Sequence, residues 1–136
     1  MAKTNAFKLA ELIRVFQYDS SNDVITTSKR TEDKNKKRGN ATKTATDQFA
    51  LDTFAKNDFR AARYIVAMTK GNDFHSTEVM LVHDGSTVTL TQYGTLKDST
   101  LATIDADISG SNVRLLVTPA SATSTTIKFD RTLVDA

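Results

Sequence analysis

The sequence predicts an all-β protein, in which an antiparallel β-sandwich of jelly-roll-like form follows an N-terminal arm with a short helix. Three observations support this class. Apolar and polar residues alternate with period two in several short segments after residue 46, the pattern of strands with one buried and one solvated face. Turn residues separate these segments at intervals of roughly 10–15 residues. Thr, which favours strands, is frequent, and the chain contains a single Pro.

The composition limits the organisation and the chemistry. The chain has 136 residues, enough for one core, and we expect an N-terminal attachment segment at 1–46 and a β domain at 47–136. Cys is absent, which excludes disulfides and Cys-ligated zinc. No apolar run reaches the ~20 residues that cross a bilayer, and the first residues lack the apolar region of a secretory signal. We therefore expect a protein made in a cytoplasm, with no membrane partner.

The first element is an apolar stripe in residues 6–16. Leu9, Leu12, Ile13 and Phe16 fall on one face of a helix, although the alternation around Phe7 and Leu9 also permits a strand. Thr4 or Asn5 would cap the start of the helix. A short strand is predicted at 23–27, after the turn-like residues 19–22.

A basic segment follows at 29–43. It contains seven basic and two acidic residues and no apolar side chain larger than Ala, so it cannot bury enough surface to offset its ordering entropy. We expect a mobile loop, or an arm that a partner orders. It could be simply solvated, lie on an acidic protein, or bind phosphates. It holds no aromatic residue for base stacking, so nucleic acid is not an expected partner.

Seven strands are predicted in the β domain. The alternation is clear in several of them: Val113, Leu115 and Val117 oppose Arg114. No βαβ pattern occurs, which argues against a parallel sheet. The predicted strands are 49–54, 62–68, 78–83, 87–93, 103–108, 112–117 and 126–134.

The predicted turns carry residues suited to tight reversals. Asp84-Gly85 suits a two-residue type I′ hairpin, because Gly tolerates a positive φ. Residues 109–112 and 71–73 mark two further hairpins, and Gly94 is expected to end the strand at 87–93.

Few residues could carry chemistry. His83 and Asp84 are neighbours and could belong to a hydrolase triad, but the many Ser and Thr residues make any nucleophile match uninformative, and His83 is interpreted as structural. Asp105 and Asp107 share one strand face, which is interpreted as a solvated face with a surface cation site as the alternative. No phosphate-binding, dinucleotide, EF-hand or zinc motif occurs. The sequence predicts no enzyme, no cofactor and no metal.

Several segments resemble a known group of proteins. They include RAARYIV at 60–66, STEVMLVHDGSTVTLTQYG at 76–94, the RLLVTP run within 105–122, and 125–133. Together they are similar to the C-terminal β domain of small virion structural proteins of tailed phages, especially marine and cyanobacterial ones. Residues 6–13 and 18–25 resemble the N-termini that precede that domain, whereas the basic segment is longer and more charged than expected.

The resemblance implies assembly rather than catalysis. The expected function is a decoration or cement protein that binds the major capsid protein on the phage head as a homo-oligomer, often a trimer. The alternative is a structural protein of the neck, tail, baseplate or fibre. The chain is then assembled in the host cytoplasm and located in the virion.

The apolar stripe and the basic segment are the expected attachment sites. Partner docking is assigned to Phe7, Leu9, Leu12, Ile13 and Phe16. Electrostatic attachment is assigned to Lys34, Lys36, Lys37 and Arg38.

A host-glycan-binding module is a rival interpretation. Lectin-like sites use exposed aromatic residues, but Trp is absent and only Tyr18, Tyr64 and Tyr93 are Tyr. A hydrolase using His83 and Asp84 and a nucleic-acid binder using 29–43 are the other rivals.

Overall fold

The computed structural model describes residues 16–19, 24–27 and 34–136, and all its regular elements are strands joined in antiparallel sheets. The predicted all-β antiparallel class is confirmed. The predicted helix at 6–16 lies outside the described residues except for Phe16, which begins a strand. None of the described residues forms a helix that could span a membrane.

The chain divides into two compact units, residues 1–32 and 33–136. In the first, β1 (Phe16–Asp19) pairs antiparallel with β2 (Val24–Thr27). The predicted strand at 23–27 is confirmed at Val24–Thr27.

The second unit contains eight strands in two antiparallel sheets. One has five strands in the order β3-β10-β5-β6-β7, and the other has three in the order β4-β9-β8. The seven strands predicted after residue 46 are all present, most of them longer than predicted. The bounds are β3 Lys36–Lys43, β4 Phe49–Ala55, β5 Phe59–Lys70, β6 Asp73–His83, β7 Val88–Lys97, β8 Ala102–Ser109, β9 Asn112–Pro119 and β10 Thr125–Asp135.

Strand β3 corrects the prediction of a mobile loop for its part of 29–43. It pairs with β10 along its whole length, from Lys36↔Thr132 to Lys43↔Thr125. The prediction considered only burial of the segment's own side chains, whereas β3 is held by backbone pairing and by contacts with other strands. The Phe129 ring covers Gly39 so closely that a Cβ there would lie 2.5 Å from the ring, an aromatic side chain compensating for a glycine at a sheet edge.

The predicted hairpins are present, with two corrections. His83 pairs with Val88, and the Asp84 N–H donates to the Thr87 carbonyl at 3.1 Å, so the reversal is centred on Gly85-Ser86 rather than Asp84-Gly85. Gly85 has a φ of 100°, which only glycine adopts without strain. Strand β7 continues through Gly94 to Lys97, and the register shift between Ser76 and Glu78 of β6 accommodates this glycine's left-handed conformation.

Buried side chains from both sheets form one hydrophobic cluster. Its fully buried members include Tyr64, Leu115 and Ile127, from β5, β9 and β10. Alternation places these residues inward on their strands, so period two in the sequence identifies most of the core.

Candidate functional site: a buried ionic network and an apolar sheet face

A buried carboxylate links the two sheets. Asp52 of β4 has a side chain with no solvent exposure. Its Oδ1 accepts a hydrogen bond from Lys37 Nζ at 2.8 Å. Its Oδ2 accepts from Tyr64 Oη at 2.9 Å and from Arg131 Nη1 at 2.7 Å. Asp52 belongs to the three-stranded sheet and the three donors belong to the five-stranded sheet, so the network fastens one sheet to the other.

A β-bulge places this carboxylate inside. The register of β4 against β9 shifts between Ala50 and Asp52, leaving Leu51 as the extra residue. Without the bulge, alternation from Phe49 and Leu51 would turn Asp52 to the opposite face. Burial, and then the neighbouring Asp52 charge, raise the pKa of Tyr64, so its hydroxyl stays protonated and acts as a donor.

The guanidinium of Arg131 completes the network. The residue is 8% exposed, and its Nη1 also reaches the Thr53 carbonyl at 3.5 Å. Among the described side chains, its Nε is the one buried polar atom that lacks a hydrogen-bond partner. Sequence analysis missed this site, although β10 offered a signal: Arg131 stands at an inward position of the alternating strand, where a cation needs a buried anion.

The His83–Asp84 pair is part of the hairpin structure, as the interpretation of His83 as structural expected. His83 is buried, with Nε2 2.7 Å from the Phe59 carbonyl and Nδ1 accepting from the Gly85 N–H at 3.1 Å. Asp84 instead accepts from the backbone N–H groups of Ser86 and Thr87. These bonds lower the pKa of Asp84 to about 2. Both side chains therefore hydrogen-bond to backbone groups in and near the hairpin, and they do not hydrogen-bond to each other.

His75 is a second buried histidine. It lies on β6, and its Nδ1 accepts from the Leu101 N–H at 3.3 Å. Burial, and then the positive charge of Lys97, lower the pKa of His75. Both effects favour the neutral form of the ring.

The two carboxylates of β8 are engaged by groups of their own sheet. Arg114 donates to both carboxylate oxygens of Asp107, from Nε at 2.7 Å and from Nη2 at 2.5 Å, which lowers the pKa of Asp107. Asp105 accepts from the Ala106 N–H. Within the described residues, no group of three or more His, Cys, Asp or Glu is arranged to hold a metal ion.

The predicted attachment residues lie partly outside the described residues. Phe7, Leu9, Leu12 and Ile13 lie outside the described residues, and Phe16 begins β1. Lys34 is exposed in the turn before β3. Lys36 and Arg38 lie on the outer face of the five-stranded sheet, where Arg38 Nε is 3.3 Å from Asp130. Lys37 points the other way, to Asp52.

The exposed large hydrophobic residues of the described chain lie on the outer side of the five-stranded sheet. We call it the outer face. Its exposed large hydrophobic residues are Ile65, Phe74, Met80, Val82, Tyr93, Leu96 and Val134. At its centre Arg63 Nη2 donates to Glu78 at 2.9 Å. Hydrogen bonding to Glu78 raises the pKa of Tyr93, and Tyr93 and then Arg63 lower the pKa of Glu78.

The fold is similar to part of several phage proteins. The tailspike protein of Acinetobacter phage vB_ApiP_P1 aligns with a TM-score of 0.50 and 15% identity, over 82% of this chain and 24% of that one. The tailspike protein of Acinetobacter baumannii phage AM24 aligns with a TM-score of 0.44 and 9% identity, over 75% and 26%. A tailspike protein of Acinetobacter baumannii bacteriophage Fri1, described as a capsular polysaccharide depolymerase, aligns with a TM-score of 0.32 and 14% identity, over 74% and 20%.

The chain thus spans about a quarter of the length of these tailspike proteins. No protein-family model and no curated protein matches the sequence.

Proposed function

We propose that this chain is a non-enzymatic structural component of a phage tail, of the kind that builds or anchors spikes and fibres, and that it acts as a homo-oligomer, with a trimer as the expected form. The observation that carries the proposal is the fold likeness to the vB_ApiP_P1 tailspike protein, which extends over 82% of this chain. The resemblance of residues 60–133 to virion structural proteins supports it independently, because it rests on sequence runs and not on backbone shape.

The tail location replaces the head lattice as the favoured place. The sequence resemblance fits both, whereas the fold likeness is to tail proteins. We also propose a β-sandwich form for residues 34–136. One hydrophobic cluster shared by both sheets and the Asp52 network between them support this arrangement.

Attachment to the rest of the particle is assigned to the apolar stripe at 6–16 and to cations in and just before β3. Docking through Phe7, Leu9, Leu12, Ile13 and Phe16 remains the proposal for apolar contact, since each large apolar side chain contributes roughly 1.5–3 kcal/mol when buried. Electrostatic attachment is proposed for Lys34, Lys36 and Arg38. Lys37 contributes less to it, because its ammonium already pairs with Asp52.

A cryo-electron microscopy map of the intact particle, with this chain traced in it, tests the location. Density at the tail supports the proposal. Density on the head lattice replaces the tail with the capsid as the partner. Particles without this chain contradict a virion role altogether.

A substitution tests the docking segment. Leu12→Asp places a charge in the apolar stripe and should abolish incorporation into particles, while Thr4→Asp, outside the stripe, should leave incorporation normal. Equal incorporation of the two variants would contradict the assignment of docking to the apolar stripe. Western blotting of purified particles measures the outcome.

A further inference from the structure

The exposed large apolar side chains of residues 34–136 are concentrated on one surface. All seven exposed large hydrophobic residues of the described chain belong to β5, β6, β7 and β10. On these strands they occupy the positions that alternate with the residues facing the core. They therefore all project from the outer face. Scattered apolar residues are ordinary on a soluble protein, whereas a contiguous set marks a contact surface.

The strand register joins these residues into rows. Val134, Ala61 and Val82 are consecutive partners across β10, β5 and β6. Two rows further, Ile65 lies between Asp130 and Glu78, and Glu78 is paired with Tyr93. The apolar side chains thus cover a band across the sheet on both sides of the Arg63–Glu78 ion pair.

Two cations of the outer face are paired with carboxylates of the same face, whereas Lys36 and Lys128 have no ion pair among the described residues and lie on β3 and β10, on the side away from β7. Arg63 is paired with Glu78 at 2.9 Å and Arg38 with Asp130 at 3.3 Å. A surface that binds a polyanion presents cations without such carboxylate partners. An apolar band whose central ion pair is compensated within the same copy instead suits another surface of the same kind, because the Arg63–Glu78 pair brings no net charge into the contact.

The size of the band fits an interface between copies. The exposed parts of the seven side chains amount to on the order of 600 Å², the upper end for a patch on a monomer and close to the ~800 Å² that each partner buries in a stable pair.

The neighbouring edge of the sheet is also open. Strand β7 pairs only with β6 among the described strands, and its ten residues contain one charge, Lys97. Strand β3, at the opposite edge, carries four basic residues in eight, the usual protection of an exposed edge.

We propose that copies of this chain associate through the outer face of the five-stranded sheet, with Ile65, Met80, Val82 and Tyr93 at the centre of the contact. This inference rests on the proposed role as a homo-oligomer and assigns the surface that forms it. The open β7 edge lies at the side of the same contact, where a second copy covers it.

A charge-compensated double variant tests the assignment. Ile65→Lys puts an ammonium between Glu78 and Asp130, and Met80→Glu puts a carboxylate opposite Arg63, because these residues are direct cross-strand partners. Opposite charges across strands support pairing, so the variant should fold while its apolar contact surface is lost. Thr103→Glu with Thr118→Lys is the matched control, since these two residues are cross-strand partners on the outward side of the three-stranded sheet.

Sedimentation velocity measures the mass of each protein, and far-UV circular dichroism checks its fold. The original chain and the control should sediment as multiples of 14.9 kDa. The Ile65→Lys/Met80→Glu variant should be a folded monomer, with the dissociation constant raised by on the order of 100-fold, the effect of removing two central contacts. A variant that unfolds is replaced by Val82→Thr, which keeps strand propensity and should weaken association about 10-fold.

Two results would overturn the inference: an unchanged mass for the folded variant, or a monomeric original chain at all concentrations. Neither would touch the tail assignment, which depends on density in the particle. Conversely, a particle that lacks this chain would contradict the proposed function while the mass measurements still decide whether the outer face joins copies.

Discussion

Asp52→Asn is expected to destabilise the fold severely while leaving its shape unchanged. The substitution keeps the side-chain volume but removes the negative charge that Lys37, Tyr64 and Arg131 share. Lys37 is half exposed and regains water, so its lost ion pair is worth about 0–1 kcal/mol. Arg131 is 8% exposed and cannot rehydrate, and removing one partner from such a buried pair costs about 3–5 kcal/mol. A domain of this size is stable by about 5–15 kcal/mol.

Urea denaturation followed by circular dichroism measures this loss. Asp107→Asn is the control, because it also breaks an Arg–carboxylate pair, but one whose side chains are 36% and 40% exposed, so the loss should stay below about 1 kcal/mol. Replacing the whole pair, with Asp52→Leu and Arg131→Met together, should cost less than Asp52→Asn alone, since no buried charge is then left without a partner. An Asp52→Asn variant as stable as the Asp107→Asn control would refute the reasoning.

Three further predictions concern the core and its edges. Gly39→Ala should lower the free energy of unfolding by about 1–3 kcal/mol, because the new Cβ meets the Phe129 ring at 2.5 Å; chemical denaturation measures it, and an unchanged midpoint would contradict the contact. Tyr64→Phe should cost about 1–3 kcal/mol, since the buried carboxylate of Asp52 loses one donor, and a neutral result would mean that the hydroxyl bond contributes nothing. Because the folded-state pKa of His75 is lowered, its contribution to stability should be complete above the ordinary value of 6.5 and should fall as the pH drops below it; denaturation at two pH values should show a steeper loss for the original chain than for His75→Gln.

The strands were predictable because their side chains alternate. In β9, Val113, Leu115 and Val117 are all fully buried, as the period-two pattern requires. The hairpin at 84–87 was predictable as well, because Gly85 has few other uses between two alternating runs. These features depend on residues that are close in sequence.

The ionic network was not predictable from local pattern. Asp52 faces inward only because the register of β4 shifts at Leu51, and a bulge leaves no clear signature in alternation. Strand β3 was not predicted for a related reason. Residues 36–43 have the composition of a solvated, charged loop, and they are ordered by pairing with β10 and by the Phe129 ring over Gly39. Both features depend on partners that lie far away along the chain.

The position of β10 has a consequence for folding during synthesis of the chain. This strand occupies the second place in the five-stranded sheet, between β3 and β5, yet a ribosome delivers it after every other described strand. Until β10 is synthesised, β3 has no strand to pair with. Asp52 also lacks its ion pair with Arg131, which lies 79 residues later in the sequence. A chain that stops before β10 leaves this edge of β5 unpaired and Asp52 without its arginine partner, and we expect both to increase its susceptibility to proteolysis. Chains without β10 should therefore be degraded faster than complete chains.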